Sequence, residues 1–425
     1  MAGTMLAVML GLFALSVPVA VAIGLAAVLG IVEFTRFPLI VAAQQIYVAL
    51  DRFPLAAIPF FILAGNLMEV GGISRRLVGF ARALVGGVQG GLAVTCVLTC
   101  MIFAAISGSS VATTFAIGAI MVPALKRLGY PAAFAGSLQA TAAELGVVIP
   151  PSIPMILYGV ATQTSIPELF IAGFGPGVLI GAALSVTVLV WCRLNGWGKQ
   201  DGEGRDSIGH ATKDAFWALL MPVIVLGGIY GGITTPTEAS VIAVVYALVI
   251  GLAIHRELRP GALYGVFRRS VVTSAVIMFI IATAGLFSWL LNRQRVPDMM
   301  AEWLVGVFGS PALFLLGVNL FLFVVGMFIE TSASIIVLGP ILAPAAVKFG
   351  IDPVHFGTVM VVNLALGMVT PPFGVNLFAA AQVAETGVDR MMRYLPVFIA
   401  VIVACLMVIS YVPPITLFLR DAVYR

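Results

Sequence analysis

Charge is what this sequence has least of. Asp, Glu, Lys and Arg make up 9% of the residues against 61% hydrophobic, and the mean hydropathy is +1.14. That balance excludes a soluble globular protein. Histidine is nearly missing, and His210, His255 and His355 lie too far apart to suggest a cluster. Cys96, Cys100, Cys192 and Cys405 stand in apolar runs with no His or carboxylate at metal-ligand spacing, so they read as packing residues and not as a disulfide framework. No phosphate-cradling loop, metal motif or nucleophile triad occurs, which disfavours an enzyme and an ATP-driven pump alike. The net charge of +4 comes from Lys and Arg scattered through short loops, a matter of membrane topology and not of a nucleic-acid partner.

What is present is a succession of apolar segments long enough to cross a bilayer many times, giving an all-α polytopic membrane protein. Two of them are interrupted close together, by Ser107-Gly108-Ser109-Ser110 and by residues 146–151 with their Pro150-Pro151 pair. Inside a membrane every backbone N–H and C=O needs a partner, so non-helical chain survives there only against protein or a water-filled cavity. The arms beside the serines, residues 91–106 and 111–125, reach only ~24 Å as helices, short of a ~30 Å hydrocarbon core. Arg75, Arg76 and Arg82 precede the first arm, and Lys126 and Arg127 follow the second. The pair is therefore expected to be a re-entrant hairpin entering from the positively charged, cytoplasmic side.

The same punctuation returns in the second half of the chain at one constant offset. Pro123, Gly129, Gly136, Gly146, Pro150 and Pro151 are matched by Pro344, Gly350, Gly357, Gly367, Pro371 and Pro372, the mark of an internal repeat. Three segments follow: a first repeat over 1–192, a polar linker over 193–214, and a second repeat over 215–425. The second hairpin, residues 311–347, has a charge-neutral base, so the halves are expected to be inverted, a plan that places the site of secondary transporters near the midplane. Residues 5–32 are expected to span once, with no signal-peptide cleavage pattern, and residues 33–52 to lie as an arm at the interface. Thr235, Pro236 and Glu238 form a capping-box helix start.

Helix N-termini at the two tips and after the two Pro-Pro breaks would converge on the centre, where an anion fits. Freed carbonyls and the hydroxyls of Ser107, Ser109, Ser110, Thr331, Ser332, Ser334 and Thr370 suit a hard cation, with sodium the natural candidate. Glu144 and Glu330 are carboxylates at membrane depth, and each reads either as functional or as a neutral group joining helices.

Together Ser107 to Thr113, Pro150 to Pro154, Thr235 to Ala239, the Gly350-Ile351-Asp352 run with His355 to Gly357, and Thr370 to Gly374 resemble the large membrane subunit of TRAP transporters (tripartite ATP-independent periplasmic, DctM-like). The resemblance covers essentially the whole chain. It implies an elevator-type, sodium-coupled importer of small carboxylates such as C4-dicarboxylates or sialic acids, in the bacterial inner membrane. A small four-helix membrane subunit, expected as a separate protein, and a periplasmic substrate-binding protein would work with it, and sodium would be the coupling ion. Carried over, one sodium site would comprise Ser107, Ser109, Ser110, Gly146, Ile149 and Pro150. The other would comprise Glu330, Thr331, Ser332, Ser334, Gly367, Thr370 and Pro371. The substrate would meet Ser109, Ser110, Thr113, Pro151, Ser152, Pro372 and Asn376. Glu144 stands where the family pattern carries a small residue. Alternatives from the residues alone are a stand-alone anion exchanger, a proton-coupled carrier with Glu144 and Glu330 as proton carriers, or a signalling membrane subunit.

Overall fold

The structure, a computed structural model, describes residues 1–199 and 207–424. Among the described residues there are helices and no strands. The first half opens with α1 (Ala2–Ala14), α2 (Val19–Phe34), α3 (Ile40–Leu50), α4 (Ala57–Val70) and α5 (Ile73–Val85). The first hairpin is α6 (Gly91–Ser107) and α7 (Ser110–Arg127). The first broken helix is α8 (Ala132–Ala143), α9 (Leu145–Val148) and α10 (Ile153–Thr162), bent by 42° at the break, and α11 (Ile166–Asn195) follows.

The second half runs through α12 (Ile208–Tyr230), α13 (Pro236–Val249), α14 (Pro260–Arg293) and α15 (Val296–Phe308) to the second hairpin, α16 (Pro311–Phe328) and α17 (Thr331–Lys348). Its broken helix is α18 (Pro353–Met368) and α19 (Val375–Ala384). A short turn α20 (Val388–Met391), then α21 (Leu395–Tyr411) and α22 (Pro414–Tyr424), end it. By length and composition, seven of the described helices are able to cross a membrane, or nine if each bent pair counts as one span.

Residues 5–32 form two helices and not the single span expected. Ser16 takes a left-handed φ of 60°, and Pro18, which has no N–H to donate, caps α2, so the run turns back on itself. The two pieces pack with Met5 against Gly30, where a Cβ would come within 2.6 Å of the Met5 sulfur. A hydropathy window misses this because Leu15 and Val17 keep the turn apolar. Within the stretch expected as a linker, α11 runs on to Asn195 and α12 begins at Ile208, while residues 200–206 lie outside the described residues. Thr235 and Glu238 close the capping box, side chain to backbone in both directions.

The repeat is visible in the packing. The second arms α7 and α17 begin and end at matched positions of the repeat, from Ser110 and Thr331 to Arg127 and Lys348. The far half of each broken helix crosses over to the other half of the chain: α10 packs on α17, and α19 packs on α7. Ion pairs fix the direction. Lys126, at the base of the first hairpin, pairs at 2.9 Å with Glu385, just past the end of α19. Arg420 joins Asp352, at the base of the second hairpin, to Glu168, in the first turn of α11 where the chain leaves α10, at 3.0 and 3.3 Å. Each hairpin base thus meets the exit of the other half's broken helix, and the hairpins enter from opposite ends.

Candidate functional site

At the first tip, α6 stops because Gly108 takes a left-handed φ of 63°. Ser109 then caps α7, its Oγ accepting from the Ala112 N–H at 3.4 Å. Thr113 donates its hydroxyl to the Ser109 carbonyl at 2.8 Å, and its oxygen lies 2.9 Å from the Ser107 Oγ. In the break, the Pro150–Pro151 bond is cis and Ser152 caps α10, accepting from the Met155 N–H and donating to the Val147 carbonyl. Tip and break touch through backbone: the Ile153 N–H donates to the Gly108 carbonyl at 3.3 Å. Gly146 has no room for a side chain, since a Cβ would stand 2.6 Å from the Thr113 Oγ1 and 2.7 Å from the Ser109 carbonyl. Ser107, Ser109, Thr113, Gly146 and Pro151 are therefore brought together. Ile149 and Pro150 are buried in the break, with Ile149 turned against Gly177 of α11.

At the second tip, Ile329 is extended and Glu330 caps α17. One carboxylate oxygen accepts from the Ser332 and Ala333 N–H groups at 2.9 and 3.2 Å, and the other accepts from the Ser332 hydroxyl at 2.8 Å. Glu330 thus locks the hairpin, an N-cap in which both carboxyl oxygens act as acceptors. Thr331 points its hydroxyl at the Met368 sulfur, 2.9 Å away. The Ser334 hydroxyl is buried with no hydrogen-bond partner, whereas Thr113, its match in the first half, is bonded to its own tip. Gly367 packs directly on the Gly326 backbone, and the Gly374 N–H reaches the Met327 carbonyl at 3.4 Å, the counterpart of the Ile153 bond. Thr370, just past the end of α18, donates to the Leu366 carbonyl. Pro371 and Pro372, joined by a cis bond, form the second break, where Pro372 is exposed.

The two halves meet at Asn376, in the first turn of α19. Its Nδ2 donates to the Glu144 Oε1 at 2.7 Å and to the Ala140 carbonyl at 3.0 Å, and its Oδ1 accepts from the Thr114 hydroxyl at 2.5 Å. Expected on the substrate surface, Asn376 is fully buried and engaged on every side as a cross-link between α7, α8 and α19. Ser110, at the first tip, lies within reach of the Glu144 carboxyl.

In front of the first tip opens a cavity of about 840 Å³. Ser107, Ser109 and Ile153 form one wall; Asn66 and Glu69 of α4, with Arg268 and Arg269 of α14, form the other. These arginines are the functional candidates that sequence reasoning missed. They sit in a basic group with Arg256 and Arg259 and read there as a topological flank, and nothing in the sequence turns them toward a tip in the other half of the chain.

A family model described as "Tripartite ATP-independent periplasmic transporter, DctM component" matches residues 6–415. The chain belongs to the DctM family. Among its relatives, the isethionate TRAP transporter permease protein DctMQ of Oleidesulfovibrio alaskensis is 44% identical over 97% of this chain, which spans 66% of that protein's length. The C4-dicarboxylate TRAP transporter large permease protein DctM of Pseudomonas aeruginosa is 40% identical, with 94% of this chain and 93% of the relative covered. The sialic acid TRAP transporter large permease protein SiaM of Vibrio cholerae is 34% identical, with 89% of each covered. The solved YdaH transporter of Alcanivorax borkumensis is similar to this DctM-family chain in fold, with a TM-score of 0.63 over 87% of this chain and 86% of that one, at 16% identity.

Proposed function

We propose that this DctM-family chain is the large membrane subunit of a sodium-driven importer of small organic anions, working in the bacterial inner membrane with a small four-helix subunit and a periplasmic substrate-binding protein. Its role is transport and not catalysis. The observation that carries the reading is the cavity at the first tip, where serine hydroxyls and a helix N-terminus face two arginines. Such a surface favours a cargo with a carboxylate or sulfonate, because the helix end and two guanidinium groups outweigh the one Glu69 carboxylate that lines the same cavity. The relatives named for isethionate, C4-dicarboxylates and sialic acid share that chemistry and little else.

Sodium is supported by the donor set. The tips and breaks gather hydroxyl and carbonyl oxygens, the ligands a hard monovalent cation takes, and one of them, the Ser334 hydroxyl, is buried without a partner. Residues of the first site would be Ser107, Ser109, Ser110 and Gly146, and of the second Thr331, Ser332, Ser334, Gly367 and Thr370. Glu330 would act on the second site through the tip it caps.

The test is uptake into vesicles by the chain reconstituted with both partners, across sodium concentrations and candidate acids. Uptake should need sodium and both partners, and Arg268→Gln with Arg269→Gln should depress it several-fold. Uptake by the chain alone would favour a stand-alone exchanger, and uptake driven by a proton gradient without sodium would overturn the sodium assignment.

A further inference from the structure

Glu144 is a carboxylate placed where it has to be neutralised. It lies at the junction of α8 and α9, just before Gly146, and is 4% exposed. Asn376 satisfies Oε1, Oε2 makes no close hydrogen bond, and the Ser110 hydroxyl is near enough to the carboxyl to interact with it. Among the described residues no Lys, Arg or His pairs with it. An amide orients a carboxylate but does not cancel its charge, and burying that charge unpaired costs far more than one hydrogen bond returns. The position is also particular to one half: its match in the second repeat is Ala365, buried and apolar.

We propose that Glu144 supplies a charged oxygen to the cation held at the first tip, making the first ion site of this chain a carboxylate site while the second is built from neutral oxygens. The inference rests on the sodium-coupled reading above and adds a charged ligand to it. The free Oε2, the neighbouring Ser110 hydroxyl and the carbonyls of the tip form an all-oxygen set suited to a hard cation. No three His, Cys, Asp or Glu side chains gather among the described residues, so a single charge is matched and not a double one. Asn376 is then a positioning residue, because its amide aims the carboxylate and ties the site to α19. A cation at Glu144 therefore touches both halves of the chain at once.

The experiment is equilibrium binding of radioactive sodium to the purified full chain, in wild type, Glu144→Gln and Ser334→Ala. Glu144→Gln keeps the shape and the Asn376 contact but removes the charge. It should weaken one class of sodium by about 10- to 100-fold, the range expected for loss of a charge-assisted contact. Ser334→Ala should weaken the other class and leave the first unchanged. A wild-type sodium curve for Glu144→Gln overturns the proposal and makes Glu144 a neutral packing acid. Should that variant not fold, Glu144→Asp keeps the charge on a shorter arm: lowered affinity in the same class supports the proposal, and unchanged affinity overturns it. Binding is read without transport, so a chain that binds sodium through Glu144 yet moves no solute would tell against the importer and leave this assignment standing.

Discussion

The two hairpin tips stand at matched positions of the repeat and turn by different means. In the first, a left-handed glycine turns the chain and a serine caps the second arm. In the second, an extended isoleucine turns it and the Glu330 carboxylate does the capping. Ser107 and Ser152, buried beside the first break, are matched in the second repeat by Phe328 and Phe373, exposed rings whose centroids lie 5.7 Å apart. The cis Pro-Pro breaks have thus been kept through the repeat, while the backbone of the tip and the side chains around it have been exchanged. A break at membrane depth needs its particular glycines and prolines wherever it occurs, whereas the groups around it answer to what lies on that side: a cavity with two arginines for the first tip, an open aromatic face for the second.

The bases of the hairpins are the place to break this comparison with the largest effect. Arg420 is buried, and its partners Asp352 and Glu168 keep a quarter to a third of their exposure, so Arg420→Gln should cost about 2–3 kcal/mol, somewhat below the loss of a fully buried pair. Lys126→Gln, at the exposed pair on the other face, should leave the melting temperature unchanged, and equal losses would show that the bases are held alike.

Next in size are the glycines where tip meets break. Alanine at Gly367 would drive its Cβ into the Gly326 backbone, which cannot yield, and should cost roughly 2–3 kcal/mol. Gly146→Ala meets the Thr113 hydroxyl and, at 2.7 Å, the Ser109 carbonyl, so it too should be destabilising, by somewhat less than Gly367→Ala, whose Cβ would stand 2.4 Å from backbone. Gly227→Ala, with open space around it in a helix, should be neutral or stabilising by up to ~1 kcal/mol. Melting of the three purified variants orders them.

A smaller effect separates the matched hydroxyls. Thr113→Val removes bonded oxygen and should cost ~1 kcal/mol or less. Ser334→Ala removes an unbonded one, and the melting temperature in choline should not move, while the sodium dependence of uptake weakens many-fold. A stability loss for Ser334→Ala in choline would show that its hydroxyl has a structural partner.

The smallest effect is with pH. Burial alone would raise the Asp352 carboxyl, but the Arg420 hydrogen bonds and the Val354 and His355 N–H groups hold it below the usual carboxylate range. Its folded value lies below its unfolded one, so the stability it contributes is full above about pH 4 and fades as pH falls through the folded value. Asp352→Asn should flatten the acid limb of a melting-temperature profile, and an unchanged limb would show that Arg420 draws its hold from Glu168 and Asp421.

Much of this was legible because breaks advertise themselves. The Ser107 to Ser110 interruption and the Pro-Pro pairs stand out from apolar runs, and the constant offset between matched prolines and glycines carries them into the second half, so the hairpins fall where the spacing put them. The turn between α1 and α2 was not legible, since its residues are as apolar as the helices they join. Nor was the Asn376 cross-link, which joins groups from opposite halves of the sequence. Arg268 and Arg269 were seen but placed by charge rule alone, which gives a side of the membrane and not a direction within the fold.

That the two halves are one device entered from opposite faces is tested most directly by sidedness of labelling. Arg127 and Lys348 are matched, exposed and helical, and the four native cysteines are buried, so single cysteines at those two positions report against little background. With a membrane-impermeant thiol reagent, Arg127→Cys should label only from the cytoplasmic side and Lys348→Cys only from the opposite side. Labelling of both from one side would contradict the inverted halves, and with them the site placed between the tips.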